Sequence, residues 1–304
     1  MNNLRFDNRV AVITGAGRGL GRAYALELAS RGCKVVVNDV GGSLQGHGAD
    51  AGPAQEVANE IRAAGGEAVA CTDSVATVEG GKAIIQAALD AFGRIDILIH
   101  NAGNVRRGSL KEMSYEDFDA VLDVHLRGAF NVVRPAFPLM CGQGYGRIVL
   151  TSSVSGLYGN VNVVNYAMSK TGMVGLCNVA ALEGAAEGVK CNIIAPGAVT
   201  RMAEGLDTSQ YPPMGPELVA PVVAWLSHES CSVTGEILSS MAGRVSRMYL
   251  AESPGVYQPS WSVEQVGERI ESIRQGGEPW VLSVVPSGQI DHIRRSFEMA
   301  RKGS

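Results

Sequence analysis

The chain of 304 residues carries 26 lysines and arginines against 30 aspartates and glutamates, and its formal net charge is −4. This length allows one large α/β domain or two smaller ones, each with a sizeable core. The balance of charge offers no basic surface for nucleic acid, and no apolar run reaches the roughly 18 residues of a membrane span. The six cysteines are scattered without a CxxC pair, so we expect neither a metal site nor a disulfide framework. No secretory or peroxisomal signal is recognisable, which predicts a cytoplasmic protein.

Short apolar runs rich in Val, Ile and Ala alternate with amphipathic stretches of helical length. Predicted strands lie near Val10–Thr14, Lys34–Asp39, Glu67–Cys71, Ile95–His100, Gly146–Ser152 and Val189–Ala195, with a weaker seventh near Gly235–Ser239. Predicted helices lie near Gly19–Arg31, Pro53–Ala64, Val78–Phe92, Phe118–Met140, Asn165–Glu187 and Glu217–Leu226. Because the strand runs are apolar throughout, both faces of the sheet should be covered. The pattern predicts a Rossmann-type, doubly wound parallel sheet of about seven strands with helices on both faces.

The organisation predicted is one catalytic domain, residues 1–245, followed by an extension, residues 246–304. The extension contains one predicted helix, Val263–Gln275, and is too short for an independent domain, so we expect it to pack on the core or on a neighbouring subunit. Two stretches interrupt the strand and helix pattern: residues 41–52, rich in glycine, and residues 200–215. The second is a candidate lid over the active site, with a passive surface loop as the alternative.

The first chemical signal is a glycine-rich turn between the first strand and the first helix. Its sequence, TGAGRGLG over Thr14–Gly21, follows a TGxxxGxG spacing rather than the strict GxGxxG. Such a turn brings the backbone close to a pyrophosphate and directs unpaired N–H groups of the helix at the anion. A turn used only for packing is the alternative. The candidate cofactor-binding residues here are Gly15, Gly17, Arg18, Gly19, Leu20 and Gly21.

The choice between NAD and NADP depends on two residues of opposite charge. Asp39 ends the second strand, 18 residues after Gly21, where a carboxylate can accept from the hydroxyl groups of an adenine ribose. Arg18 favours NADP instead, since a guanidinium in the turn can pair with a 2′-phosphate. A carboxylate close to that phosphate is costly, whereas Arg18 can remain in solvent, so NAD is favoured.

Two further loops belong to the predicted cofactor cleft. Asp73 and Ser74 follow the third strand, where the Asp73 carboxylate could accept from the adenine amino group; a solvated aspartate is the alternative. Asn101, Ala102 and Gly103 follow the fourth strand, and their small side chains would let the backbone pass under a bound ribose. An ordinary turn at the end of a strand is the alternative for that motif.

Ser153, Tyr166 and Lys170 suggest the reaction. Tyr166 and Lys170 are four residues apart, so one helix presents both on the same face. A phenol with a pKa near 10 is a poor base, and a neighbouring ammonium lowers that pKa. Ser153, at the end of the fifth strand, can hydrogen-bond the oxygen of a carbonyl or hydroxyl group being converted. A pair of Tyr and Lys at this spacing is commonly a surface pair, but the serine and the upstream dinucleotide cleft favour catalysis.

Over about residues 5–245 the sequence resembles the short-chain dehydrogenase/reductase family. The matching motifs are TGAGRGLG, Asp39, HNAG, the TSS strand end, YAMSK and APG. The resemblance implies that Tyr166 is the general base or acid and that Ser153 steadies the substrate oxygen. It implies further that Lys170 contacts the nicotinamide ribose and lowers the pKa of Tyr166. Cofactor contacts are then expected from Tyr166, Lys170, Pro196, Gly197, Val199 and Thr200, and a homodimer or homotetramer is expected through the long helices.

His125 and His100 depart from the family pattern. Where most members have a catalytic Asn in a VNxxG-like run, this chain has His125 in VHLRG, and HNAG replaces the common NNAG. That Asn kinks its helix and holds a water linked to the lysine, so its replacement puts the usual proton relay in doubt. A histidine can hold a water or carry a proton near neutral pH, and a purely structural histidine is the alternative.

The narrower motifs VHLRGAF, NDVGG and VAPVVAWLSHESC resemble the (3R)-hydroxyacyl-CoA dehydrogenase part of the type 2 multifunctional enzymes of peroxisomes. This resemblance implies an NAD-dependent oxidation of (3R)-hydroxyacyl-CoA to 3-ketoacyl-CoA, with any hydratase supplied by a separate protein. A steroid or other hydrophobic alcohol dehydrogenase is the second hypothesis, and a non-catalytic dinucleotide-binding regulator is the third. Candidate walls for the substrate are Leu157, Tyr158, Val161, Met202 and Leu206. Arg106 and Arg107 are candidates for contact with CoA phosphates, with two solvated arginines as the alternative.

Overall fold

The computed structural model describes residues 4–200 and 210–303, and within these ranges eight strands form one sheet. The order across the sheet is β3-β2-β1-β4-β5-β6-β7-β8, and every pairing from β3 to β7 is parallel. The strands are β1 Val10–Thr14, β2 Lys34–Asn38, β3 Ala68–Cys71, β4 Ile97–His100, β5 Gly146–Thr151, β6 Val189–Gly197, β7 Ile237–Met241 and β8 Arg244–Met248. The predicted doubly wound α/β sheet is confirmed.

Ten α-helices occur in the described part of the chain. They are α1 Gly19–Ser30, α2 Gly52–Ala63, α3 Val78–Phe92, α4 Tyr115–Leu122, α5 Gly128–Gly142, α6 Val154–Tyr158, α7 Val164–Gly184, α8 Ala220–Ser227, α9 Val263–Gln275 and α10 Gln289–Gly303. Short 3₁₀ turns follow α7 at Ala185–Glu187 and precede α8 at Pro216–Leu218. A π-helical turn, Asp123–Arg127, joins α4 to α5.

Burial and capping account for the positions of these elements. All residues of β1, β4 and β5 are buried, as expected for strands covered on both faces. Thr77 and Ser114 cap α3 and α4, because each side chain accepts a hydrogen bond from a backbone N–H in the first turn. One large hydrophobic cluster, which includes Tyr24 and Leu28 of α1, packs against the sheet.

Three predicted features need correction. The helix predicted over Phe118–Met140 is interrupted by the π-helical turn at Asp123–Arg127, where the backbone is directed by the polar contacts described below. An eighth strand, β8, was not predicted because its sequence RVSRM is an exposed edge with little apolar character. The tail has a second helix, α10, where only one helix was predicted. The helical spacing of Ile290, Ile293 and Phe297 was a signal for it in the sequence.

The chain divides into two compact units, Met1–Arg247 and Met248–Ser304. In the second unit, a capping box at Ser262 begins α9. Glu252 pairs with Trp280 through two backbone hydrogen bonds and accepts from His292 at 3.0 Å. Across the described ranges, no helix combines the length and the apolar composition needed to cross a bilayer.

Candidate active site

The glycine-rich turn lies at the carboxyl end of β1, beside β4, where the strand order reverses direction and doubly wound sheets bind their ligands. Gly15 has a φ of +65°, and a Cβ there would lie 2.7 Å from the Cα of Ala102. A Cβ on Gly21 would lie 2.1 Å from the carbonyl oxygen of Gly15. These contacts require glycine, because the turn, the first helix and the loop after β4 touch through their backbones.

The N-terminus of α1 is suited to an anion. Its N-cap residue, Arg18, makes no side-chain capping hydrogen bond, and the first turn contains no acidic residue. Backbone N–H groups of the first turn therefore remain for a phosphate, and the helix dipole favours negative charge there. These residues fit the pyrophosphate of a dinucleotide.

Asp39 follows β2 and is held in place by two backbone groups. Its Oδ2 accepts from the N–H of Gly17 at 2.9 Å, and its Oδ1 accepts from the N–H of Gly41 at 2.7 Å. A carboxylate has about four lone-pair positions, so both oxygens can accept further hydrogen bonds. The side chain is half-buried and can accept from ribose hydroxyl groups.

A cavity of about 370 Å³ opens beside this turn. Of the predicted cofactor residues, it is lined by Gly15, Arg18, Gly19, Leu20, Asp39, Ser74, Asn101, Ala102, Gly103 and Thr200. Other predicted residues do not line it: Gly17, Gly21, Asp73, Tyr166, Lys170, Pro196, Gly197 and Val199. Gly17 and Gly21 contribute through their backbone to the shape of the turn, as the contacts above show.

Asp73 and Ser74 have different positions. Asp73 is exposed, and its backbone oxygen accepts from the Nδ2 of Asn38 at 2.9 Å. The Asp73 carboxylate accepts from the thiol of Cys71. Ser74 lines the cavity, so the loop after β3 reaches the cleft through the serine rather than the aspartate.

Ser153, Tyr166 and Lys170 come together from the end of β5 and the first turns of α7. Ser153 lies close enough to Tyr166 to lower the pKa of the phenol. The Nζ of Lys170 lies 5.5 Å from the centre of the Tyr166 ring and donates to the carbonyl oxygen of Thr151 at 2.6 Å. This arrangement places a phenol, a hydroxyl and an amine side by side at the same edge of the sheet as the glycine turn.

Burial dominates the ionisation of this group. It raises the pKa of Tyr166, while the Ser153 side chain and the positive charge of Arg107 lower that pKa in part. Burial also lowers the pKa of Lys170 to about 7. The sequence argument expected a lowered pKa for Tyr166. The net direction is the opposite, because desolvation of the phenolate outweighs the two favourable contacts.

His125 lies on the π-helical turn and is buried. Its Nε2 is 3.1 Å from the backbone nitrogen and 2.9 Å from the backbone oxygen of Asn104. Its ring meets the Tyr166 ring edge-on, with centres 5.2 Å apart, and its Nδ1 has no hydrogen-bond partner. Burial and the nearby Lys170 and His100 hold the pKa of His125 well below its usual value. The imidazole is therefore neutral. Of the three roles considered from the sequence, this favours holding a water or a structural role over carrying a proton near pH 7.

His100 connects the catalytic helix to the cofactor turn. Its Nε2 is 3.0 Å from the carbonyl oxygen of His125, and its Nδ1 is 3.1 Å from the hydroxyl of Thr14. The Thr14 hydroxyl also accepts from the backbone N–H groups of Asn101 and Ala102, each at 3.1 Å. Burial lowers the pKa of His100 to about 3, so this ring is also neutral at pH 7.

Only some of the predicted substrate-wall residues lie within the part of the chain that the structure describes. Tyr158 and Val161 are exposed, and Leu157 is half-buried. Met202 and Leu206, with most of the candidate lid, lie outside the described residues. Pro196 and Gly197 end β6, and the N–H of Val199 donates to the oxygen of Met214 at 2.7 Å.

The two arginines after HNAG have different environments. The side chain of Arg106 is only 14% exposed and pairs with Asp117 at 3.0 Å, so it is not the solvated residue considered above. Arg107 is exposed, and its charge acts on Tyr166. The N–H of Gly108 donates to the oxygen of Asn162 at 3.1 Å, which places this segment beside the start of α7.

Sequence reasoning missed several residues of the cavity wall. They are Asn38, Val40, Gly42, Ser43, Leu44, Gly46, Val75, Ala76, Asn104, Ala120, Asp123 and Val124, while Arg106, which also lines the cavity, was considered only for CoA phosphates. The glycine-rich composition of residues 41–52 was the one available signal, because such a segment can lie close to a ligand. Across residues 4–200 and 210–303 no three His, Cys, Asp or Glu side chains group as a metal site would require.

A doubly wound sheet, a glycine turn at its switch point and a Ser-Tyr-Lys group define a dinucleotide-dependent oxidoreductase acting on CH–OH groups. The sequence pattern of the short chain dehydrogenase family matches residues 9–210. The chain belongs to this family, whose members bind a nicotinamide dinucleotide.

Similar proteins refine this assignment. Peroxisomal multifunctional enzyme type 2 of Drosophila melanogaster is 51% identical over 259 residues, which cover 84% of this chain and 43% of the fly protein. The structure of the full-length fly enzyme matches with a TM-score of 0.80 and 38% identity, over 98% of this chain and 50% of the fly chain. This chain therefore spans about half the length of that relative.

Two other relatives match over most of their own length. A short-chain type dehydrogenase/reductase of Mycobacterium tuberculosis is 47% identical, over 86% of this chain and 92% of the relative. A 7α-hydroxysteroid dehydrogenase in complex with NADH and 7-oxo-glycochenodeoxycholic acid matches with a TM-score of 0.72 and 29% identity. That match covers 80% of this chain and 98% of the steroid enzyme.

Proposed function

We propose that this protein is an NAD-dependent dehydrogenase that oxidises (3R)-hydroxyacyl-CoA to 3-ketoacyl-CoA. The grouping of Ser153, Tyr166 and Lys170 beside a dinucleotide cleft supports the oxidation of a secondary alcohol, without specifying which one. The acyl-CoA part is supported by the 51% identity to a peroxisomal multifunctional enzyme type 2.

The proposed mechanism assigns a task to each side chain. A bound nicotinamide dinucleotide supplies the hydride acceptor. Tyr166, as the phenolate, takes the proton of the substrate hydroxyl. The single O–H of Ser153 then donates to the substrate oxygen instead of to Tyr166. Lys170 contributes positive charge that stabilises the Tyr166 phenolate before it takes that proton, and its three donors could hold a ribose hydroxyl as well as Thr151. General acid–base catalysis of this kind contributes on the order of 10²–10⁴-fold in rate.

NAD rather than NADP is proposed because of the Asp39 carboxylate. It lines the cavity and is held by Gly17 and Gly41, so it cannot easily turn away from a 2′-phosphate. Arg18 also lines the cavity and favours the phosphate. Two negative charges facing each other across a partly dry cleft cost more than one unused surface arginine.

Arg107 supports a substrate with a phosphate-bearing handle. It is exposed beside the start of α7 and close enough to influence Tyr166. An ammonium or guanidinium group at the mouth can pair with CoA phosphates that remain outside the cleft. A steroid has no such group. Arg107→Met should therefore lower kcat/KM more for a CoA thioester than for a neutral short thioester, which is affected only through the charge that Arg107 exerts on Tyr166.

Initial rates on three substrates test the proposed activity. With NAD we expect turnover of (3R)-hydroxyacyl-CoA and much slower turnover of the (3S) isomer, because only one face of the substrate places hydride and hydroxyl correctly. Equal rates on both isomers would contradict the stereochemical assignment. Activity on a hydroxysteroid alone would replace the acyl-CoA assignment with the function of the 7α-hydroxysteroid dehydrogenase relative.

A homodimer or homotetramer remains part of the proposal. Val78, Phe130 and Val179, on α3, α5 and α7, are each more than half exposed. Leu126, Phe130 and Leu176 line a shallow apolar groove on these helices, and a second copy of the chain would cover it. Light scattering would test this, with dissociation expected for Phe130→Glu.

A cytoplasmic location stays a prediction, and fractionation of cells would test it.

A further inference from the structure

The glycine-rich segment after β2, residues 41–51, is closed on itself. We call it the strap. The N–H of Asp50 donates to the oxygen of Val40 at 2.9 Å, which brings the two ends together. Near its tip, the N–H of Ser43 donates to the oxygen of His47 at 2.8 Å, and the N–H of Gly46 donates to the oxygen of Ser43 at 3.0 Å. Without helix or strand, the segment is still an ordered compact loop of the kind that carries function.

The tip of the strap is attached to the loop after β4. The N–H of Val105 donates to the oxygen of Leu44 at 3.0 Å, and the Nε of Arg106 donates to the oxygen of Gln45 at 3.1 Å. A Cβ on Gly46 would lie 2.8 Å from the Nδ2 of Asn104, so the strap rests directly on that side chain. In the sheet, β1 lies between β2 and β4. The strap therefore crosses the end of β1, where the glycine turn lies.

Arg106 links the strap to α4. Its Nη1 donates to the carboxylate of Asp117 on α4 at 3.0 Å, while its Nε holds the carbonyl oxygen of Gln45. The planar guanidinium can bond two partners in fixed directions, which an ammonium group cannot do. Arg106 lowers the pKa of Asp117, as expected for a favourable ion pair.

The strap and the glycine turn form opposite walls of one cavity. Ser43, Leu44 and Gly46 line it together with Gly15 and Gly19. The strap also controls Asp39, since the N–H of Gly41 donates to one oxygen of that carboxylate. We propose that Arg106 is a positioning residue for the dinucleotide: it holds the strap over the adenosine end of the cleft and thereby sets affinity and the preference at the 2′-position. This rests on the dinucleotide binding of the family and on the proposed use of Asp39.

The test compares Arg106→Met and Arg106→Lys with a matched control, Arg5→Met. Arg5 also forms an ion pair, with Asp7 at 2.8 Å, but it lies on an exposed surface away from the cavity lining. Dissociation constants for NADH and NADPH are measured by fluorescence titration without substrate. We expect Arg106→Met to weaken NADH binding about tenfold and to reduce the preference for NADH over NADPH, while Arg106→Lys recovers only part of the affinity. The KM for NADH should rise by more than kcat falls, because the substitution acts on dinucleotide binding.

Hydrogen exchange on the same variants shows whether the strap itself has changed. Faster exchange of the Gly46 and Val105 amides in Arg106→Met, but not in Arg5→Met, supports the proposal. NADH affinity within twofold of wild type in a folded Arg106→Met, or an equal loss in Arg5→Met, would overturn it. If wild type prefers NADPH, the NAD proposal fails by itself. Tenfold weaker NADPH binding in Arg106→Met would then still support the role of Arg106 in affinity.

Discussion

The two ends of the cleft use different kinds of polar group. At the adenosine end the structure offers backbone N–H groups, glycines and one half-buried carboxylate, Asp39. At the catalytic end it buries ionisable side chains, namely Lys170, His100 and His125, and displaces the pKa of each. The first end recognises a shape that hardly changes in the reaction, whereas the second must handle a proton.

This difference predicts how the two ends respond to substitution. Backbone groups cannot be removed by exchanging one side chain, so changes at the adenosine end should alter affinity and selectivity gradually. Buried side chains have been taken out of water at a cost, and their removal or titration should change rate or stability sharply. The four predictions below test this contrast.

Tyr166→Phe should have the largest effect. It deletes the proton-transfer group and little else, so we expect kcat to fall on the order of 10²–10⁴-fold. NADH affinity should remain within about threefold, roughly 0.65 kcal/mol. Stopped-flow hydride transfer and NADH titration measure the two effects separately. Full activity in the phenylalanine variant would rule out the mechanism.

Asp39→Ala should change cofactor preference without abolishing turnover. Loss of a hydrogen bond to a charged acceptor costs about 1.5–3 kcal/mol, which corresponds to a roughly 10- to 150-fold fall in kcat/KM with NAD. Activity with NADP should rise because the repulsive charge is gone. Asp39→Asn serves as the control that keeps an acceptor. A wild-type enzyme with higher kcat/KM for NADP would show that Arg18 decides the preference.

Lys170→Met should change how stability depends on pH. The native pKa of Lys170 is about 7, against 10.5 for an exposed lysine. Between these values the unfolded chain binds the extra proton, so the stability of wild type rises with pH. Relative to the methionine variant, wild type should gain up to about 1.4 kcal/mol per pH unit between pH 7 and pH 10, and nothing below pH 7. Urea unfolding of both proteins measures this difference; parallel pH curves would contradict it.

His125→Asn should have the smallest effect. An asparagine amide can accept from the N–H of Asn104 and donate to its oxygen at once, whereas the single Nε2 of His125 can do only one of these. We expect turnover within about tenfold of wild type, since one hydrogen bond contributes a net free energy of about 0.5–1.5 kcal/mol. His125→Ala should lose more activity and lower the Tm. Equal damage in both variants would show that the imidazole itself takes part in catalysis.

The sequence predicted the adenosine end well where its signals were local. Apolar runs located the strands, and the glycine spacing located the turn after β1, because both depend on neighbours in the chain. The strap contact to Arg106 was not predictable, since it joins residues 61 positions apart. The position of Asp73 after the third strand left a contact with adenine and a solvated side chain open. In the structure the Asp73 side chain is exposed and accepts from the thiol of Cys71.

At the catalytic end the residues could be identified from the sequence, but their ionisation could not. The spacing of Tyr166 and Lys170 predicted their shared helix face, and α7 confirms it. The direction in which the pKa of Tyr166 is shifted could not be predicted, because burial depends on every element packed around the phenol. For the same reason the sequence left the protonation state of His125 open. The π-helical turn has no sequence signal in this chain apart from the histidine on it.

The Thr14 hydroxyl decides the order of hydrogens along a path through the core. Its two lone pairs are occupied by the N–H groups of Asn101 and Ala102, so its own hydrogen must point at the Nδ1 of His100. The other nitrogen of that ring then carries the hydrogen that meets the carbonyl oxygen of His125. The Thr14 hydroxyl thus links two peptide groups after β4 to the π-helical turn through the imidazole of His100. Thr14→Ser preserves that order, whereas Thr14→Val leaves the Nδ1 of His100 and the N–H groups of Asn101 and Ala102 without this partner.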